Sequence, residues 1–333
     1  MARYLHPEQR PAKGRRRGRR RIRAGQPRSA RRLAGRCPAT IQPLMPPAPR
    51  FLIAESESAG ARERRRQSVG RSSGEAYRAT LHGLHPGAET ELVRPAEEGS
   101  PAFSAEALES YDAVFLSGSP LHVYDDAPEV RRQLAFMRAV FASGTPSFGS
   151  CAGLQVAVAA AGGTVRKKQG AHEAGFARRI TATDAGRSHP LLDGRDTAWD
   201  APAVHSDEVE RLPDGAVLLA SNPASPVQAA EIRMRPGVFW GVQYHPELPL
   251  QEIAGALRRQ AGGLVEQGLA RGPDDVEAVA GLIEALGEAP DRQDLAWRLG
   301  VNAQVTDPAL RTLELRNFIR HLVLPTRAER GRG

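Results

Sequence analysis

Sulfur, aromatic side chains and long apolar runs are all scarce in this chain. Of its 333 residues two are cysteine, Cys37 and Cys151. Two thiols cannot build the multi-bridge framework of small secreted domains, so a reducing, cytoplasmic setting is expected. No stretch of eighteen or more apolar residues occurs, and no membrane-spanning helix is expected. A phosphate loop of the type GxxxxGK followed by Ser or Thr is also missing, which removes the usual signature of nucleotide activation. Acids are nearly absent from one region only. Residues 1–50 hold 15 Lys and Arg against a single acid, Glu8, a net of +14, whereas the remaining residues carry 31 bases against 37 acids, a net of −6. The formal charge of +8 therefore belongs to the amino-terminal segment and not to the body of the chain.

That segment, residues 1–49, is rich in Arg, Ala, Gly and Pro and has little apolar surface to offset the entropy of ordering it, so disorder is expected. The arginine run from Arg15 to Arg23 is open to three readings. It can be an arm for nucleic acid or an acidic partner, an organelle-targeting peptide, or sequence upstream of a true start at Met45. Nucleic acid is not an expected partner elsewhere.

What remains is long enough for one full α/β domain and a smaller addition. From Phe51 short apolar runs alternate with helical segments, the pattern of an open, mostly parallel twisted sheet covered by helices on both faces. Strands are expected at Phe51–Ala54, Glu91–Val93, Ala113–Leu116, Pro146–Gly149, Arg178–Thr183, Val217–Ala220, Gln228–Ile232 and Val238–Gln243. Helices are expected at Glu75–Leu84 and Pro128–Ser143, the latter opened by a proline suited to a first helical turn. The arginine-rich stretch Gly60–Gly74 is longer than an ordinary strand-to-helix connection and is expected to be a mobile surface loop, although its bases are suited to covering an anionic substrate. Residues 50–250 are thus one domain. Beyond Pro249 strand patterns cease, and residues 251–325 read as a helical appendage for packing or dimerisation, with residues 326–333 disordered.

Two strings carry chemistry. In Thr145-Pro-Ser-Phe-Gly-Ser-Cys-Ala-Gly-Leu-Gln155 a short strand runs into a helix with a cysteine at the bend. Gly149 and Gly153 flank Cys151 at the G-x-C-x-G spacing of a nucleophile elbow, where backbone must approach backbone closely. The helix from Ala152 presents its positive end to the sulfur and favours the thiolate. A buried structural cysteine is the alternative reading of this string alone. The second string, Phe239-Trp-Gly-Val-Gln-Tyr-His-Pro-Glu247, is an apolar strand ending in His-Pro-Glu, and strand alternation places His245 and Glu247 on one face. A base that takes a proton from a thiol needs a carboxylate to orient its imidazole.

Together these strings resemble the GxCxGxQ and QxHPE signatures of class I glutamine amidotransferases, particularly the glutaminase domain of GMP synthase and its stand-alone relatives. Phe115-Leu-Ser-Gly-Ser-Pro-Leu-His-Val-Tyr-Asp125 resembles the LSGGP oxyanion loop of that family, and His205-Ser-Asp-Glu-Val209 its SHxDxV stretch. The resemblance implies Cys151 as nucleophile, His245 as base and then acid, Glu247 as the group that orients it, and no metal or organic cofactor. It implies an oxyanion hole from the backbone N–H groups of Ala152 and Ser119, and a substrate site including Gln155 and Gly118. Ser119 departs from the family glycine, and a serine is less free to flip its peptide, which would suit a gated hole. His205 and Asp207 are either substrate-binding or part of a solvated loop. Three functions follow: a glutaminase feeding ammonia to an acceptor synthetase in trans, a free-standing γ-glutamyl peptide or amide hydrolase, and a regulatory module with an inert site.

Overall fold

The computed structural model describes residues 47–169 and 172–333, so the arginine run, Cys37 and Met45 lie outside the described residues. Among the described residues eleven strands are formed: β1 Arg50–Ala54, β2 Glu89–Val93, β3 Ala113–Leu116, β4 Ser147–Ser150, β5 Thr164–Lys167, β6 Glu173–Ala182, β7 Ala198–His205, β8 Asp207–Arg211, β9 Val217–Ser221, β10 Ala229–Met234 and β11 Gly237–Val242. Nine of them make one sheet in the order β2-β1-β3-β4-β11-β10-β9-β6-β7, and β5 pairs with β8 in a second, two-stranded sheet. Pairing is parallel from β2 to β11 and antiparallel beyond it. The open, helix-covered sheet is as expected, and the antiparallel extension is what the structure adds.

Strands β5, β7 and β8 escape the sequence patterns for identifiable reasons. Pro202 interrupts β7, which is tolerable because β7 is an edge strand with no second partner. The acidic β8 is held by cross-strand pairs to β5, among them Arg166 with Glu208 at 3.0 Å, and charged pairing has no apolar alternation to reveal it.

Helices α1 Ala59–Val69, α2 Ser73–Leu84, α3 Ala105–Glu109, α4 Pro128–Ser143, α5 Ala152–Ala160 and α6 Asp184–Arg187 alternate with the strands. After β11 come α7 Leu250–Arg259, α8 Ala261–Glu266, α9 Pro273–Glu288, α10 Gln293–Leu299, α11 Ala303–Thr306, α12 Pro308–Arg311, α13 Leu313–Phe318 and α14 Leu324–Glu329, the last two joined by one π-helical turn. Alternate residues of β1 feed separate cores: Phe51 and Ile53 join Tyr77, Phe115, Phe148 and Trp240, while Leu52 and Ala54 join Val114, Val140, Leu154 and Phe239. This two-sided burial is what a central parallel strand requires.

Two expectations are corrected. Gly60–Gly74 is not a mobile loop: Ser58 caps α1 through its hydroxyl, Gly70 at φ 76° closes it, and Ser72 and Glu75 form a capping box that opens α2. Two of its arginines are buried in ion pairs, Arg62 with Glu55 and Glu97, and Arg65 with Glu57 and Glu252. Residues 326–333 are ordered, because Arg327 and Arg332 both reach the buried Asp112 at 3.2 Å. The helical carboxy-terminal region is present as expected, and it packs against the main sheet. Phe318 packs edge-on to Phe115 at 5.4 Å and lies 5.5 Å from Phe148, inside the core of the main sheet. Pairing between residues more than a hundred positions apart leaves no local signature.

Candidate active site

Strand β4 delivers Cys151 to the carboxyl edge of the sheet, and the chain turns there at φ 54°, ψ −112°. A non-glycine residue at positive φ costs about 1–3 kcal/mol. The helix that follows offsets it, since Leu154, Val156 and Val158 of α5 are buried at about 1.5–3 kcal/mol each. The flanking glycines are obligatory for close approach: a Cβ on Gly149 would lie 2.6 Å from the carbonyl carbon of Gly153, and one on Gly153 would lie 2.5 Å from the Leu116 carbonyl oxygen. Ala152 is the first residue of α5, so its N–H has no intrahelical acceptor and is available to a ligand.

His245 and Glu247 do not share a strand face, because β11 ends at Val242. The turn into α7 brings them together instead. The His245 backbone N–H donates to Pro202 of β7 at 2.8 Å, the Thr80 hydroxyl donates to the Glu247 carbonyl at 2.8 Å, and the His245 ring places Nδ1 2.8 Å from Glu247 Oε1. Burial presses the imidazolium down, but the negative charges of Glu247 and of the Cys151 thiolate outweigh it, and the His245 pKa is pushed up to about 10. Gly118, after β3, closes the site from a third side: a Cβ there would meet His245 Cε1 at 2.7 Å and Cys151 Cβ at 3.7 Å.

The loop beyond β3 is held by a residue that sequence reading passed over. The Ser117 hydroxyl lies 3.1 Å from Gly118 O, to which it donates, and 3.1 Å from the Ser73 hydroxyl at the start of α2. The carbonyl of Gly118 and the N–H of Ser119 belong to one trans peptide, so pinning the first directs the second to the opposite side. Ser119 occupies ordinary negative φ, and its hydroxyl accepts from the Leu121 N–H at 3.1 Å.

Cys151, His245, Glu247, Gly118, Ser119, Gln155, His205 and Asp207 all line one cavity of about 310 Å³. His205 and Asp207 are buried and do not form a solvated loop. His205 bridges Asp207 O at 2.8 Å and Glu173 Oε2 at 2.7 Å, and Gln155 donates to Asp207 O and to Gln243 Oε1, both at 3.2 Å. The Asp207 carboxylate is already engaged, by His122 Nδ1 at 2.6 Å and the Tyr124 hydroxyl at 3.2 Å. Sequence reading missed His122 and Tyr124, which lie within the Phe115–Asp125 string, and Glu173, which stands 32 residues before His205 and has no local signal.

Comparison with known proteins decides the family. The family model for class I glutamine amidotransferases matches residues 78–259, more than half of the chain. The chain belongs to that family. Among the relatives of this amidotransferase-family protein, a γ-glutamyl-L-1-hydroxyisopropylamide hydrolase from a Pseudomonas species is 37% identical over 282 residues, which cover 83% of this chain and 94% of the hydrolase. The GMP synthase of Thermobifida fusca is 37% identical over 137 residues, covering 41% of this chain and only 24% of the synthase. In three dimensions, a glutamine amidotransferase from Thermotoga maritima superposes with a TM-score of 0.52 at 16% identity, over 83% of this chain and 98% of that one, a likeness of fold. No helix among the described residues is long and apolar enough to cross a membrane.

Proposed function

We propose that this amidotransferase-family enzyme is a free-standing hydrolase of γ-glutamyl amides. The Cys151 thiolate attacks the γ-carbonyl carbon, and the carbonyl electron pair moves to oxygen, received by the N–H groups of Ala152 and Ser119. Collapse restores the carbonyl, breaks the C–N bond and expels the amine with a proton from His245. A water deprotonated by His245 then attacks the thioester, and the thiolate leaves with glutamate released. Glu247 holds the imidazole in register throughout, and Gln155 lies against the substrate.

The arrangement of Cys151, His245 and Glu247 around one cavity supports hydrolysis through a thioester. The extent of the match to the Pseudomonas hydrolase, against the partial matches to GMP synthases, favours work without an acceptor synthetase over ammonia supply in trans. The test is amine or ammonia release by the purified chain from glutamine and from γ-glutamyl alkylamides. Alkylamides should be hydrolysed without a partner and faster than glutamine, and Cys151→Ala should lose turnover by about three orders of magnitude or more while keeping its fold. Turnover of glutamine that starts only when a second protein is added would sink this reading in favour of ammonia transfer.

A further inference from the structure

Two cations that line the cavity have no place in the mechanism above. Arg64 of α1 and Arg259 of α7 both contribute to its wall, both are exposed, and among the described residues neither forms an ion pair within 4.0 Å; Arg259 donates only to the Ser68 hydroxyl at 3.0 Å. Every acid that lines the cavity is already matched. Glu57 pairs with Arg65 and accepts from the Ser73 N–H, Asp207 holds His122 and Tyr124, and Glu247 holds His245. The cavity therefore keeps two guanidinium groups that no carboxylate among the described residues satisfies.

Their position relative to the reacting bond follows from connectivity. The leaving nitrogen takes its proton from His245, and the chain runs from His245 through Glu247 and Leu248 directly into α7. Helix α1 packs on α7, with a Cβ on Gly255 meeting Val69 Cγ1 at 2.3 Å. The wall of α1 and α7 is thus continuous with the general acid, whereas Gln155 and the turn from β7 to β8 build the other wall. The cavity is lined in part by the apolar Ala61, Leu248, Ile253 and Ala256, beside the polar Glu57, Arg65, Ser73 and Gln260.

We propose that the substrate, within the γ-glutamyl amide reading on which this inference rests, has a leaving amine made of a short alkyl chain ending in a carboxylate, which Arg64 and Arg259 receive. The apolar lining suits the methylenes, and guanidinium groups suit a carboxylate because their paired N–H donors match its two oxygens.

The experiment compares γ-glutamyl-β-alanine with its uncharged partner γ-glutamyl-β-alaninamide. Both retain the glutamyl α-carboxylate, so the ratio of their kcat/KM values reports only the acid on the amine. The expected ratio is about tenfold or more in favour of the acid, from a hydrogen bond to a charged group. It should fall toward one in Arg64→Gln and in Arg259→Gln, and Arg259→Lys should restore part of it. Because a ratio cancels the amount of folded enzyme, instability of a variant does not imitate the effect. Hydrolysis of both amides at equal kcat/KM, or a ratio indifferent to both Gln variants, overturns the proposal and leaves γ-glutamyl hydrolysis standing. No hydrolysis of either amide or of the alkylamides overturns both.

Discussion

At the scale of the residue, the chemistry turns on the charge state of His245. Its pKa is held at about 10 rather than at the ordinary 6.5, so the imidazolium persists through neutral pH and is lost as pH rises through about 10. The general acid is then charged at neutral pH, and the alkaline limb of kcat/KM should fall near pH 10. Glu247 supplies the larger of the charges that raise it. Glu247→Gln removes that charge while keeping a hydrogen-bonding group, and should move the alkaline limb to lower pH and reduce kcat. A pH-rate profile with an unmoved limb would show that Glu247 does not control the imidazole. His245 also contributes stability through this shift, present below pH 6.5 and lost as pH climbs through about 10.

At the scale of the element, the loop after β3 and the first turn of α2 act together through the contact of Ser117 with Ser73 and Gly118. A serine at position 119 reads, from sequence, as a candidate gate. The pinned Gly118 carbonyl and the negative φ of Ser119 describe a peptide already set. Ser117→Ala should therefore lower kcat by about tenfold or more with little change in KM, since one oxyanion donor loses its fixed orientation. Ser119→Gly should give no gain with either glutamine or an alkylamide. Faster turnover in Ser119→Gly would mean that the peptide flips during the reaction and that the gate is real.

At the scale of the whole molecule, the carboxy-terminal helices close the main core. Tyr244, next to His245, donates to Glu314 of α13 at 2.6 Å, and Glu314 in turn pairs with the buried Arg195 at 2.6 Å. Phe318 lies among Phe115, Phe148 and Trp240. Phe318→Ala should cost about 3–5 kcal/mol, the usual range for a fully buried Phe, and should do so in a single urea transition reported equally by Trp199 and Trp240 fluorescence and by activity. An early transition that left activity intact would show that these helices fold apart from the main core. The arginines of α1 belong to the same scale: Arg65 joins the loop after β1 to α7 by its contacts with Glu57 and Glu252, which is how a segment with scarcely an apolar residue becomes the roof of a cavity.

The sequence by itself determined the parallel half of the sheet, because strands buried on both faces must be short continuous apolar runs. It also determined the positions of the elbow cysteine and of the histidine and glutamate, because a tight bend with close backbone contact leaves only glycine at positions 149 and 153. Tertiary structure alone decided the rest. The contact between His245 and Glu247 comes from a turn anchored to Thr80 and Pro202, not from strand alternation. The fate of the charged segments was settled by partners far away in sequence, Glu252 for Arg65 and Asp112 for Arg327, and a local pattern cannot distinguish an arginine that water solvates from one that a buried carboxylate holds.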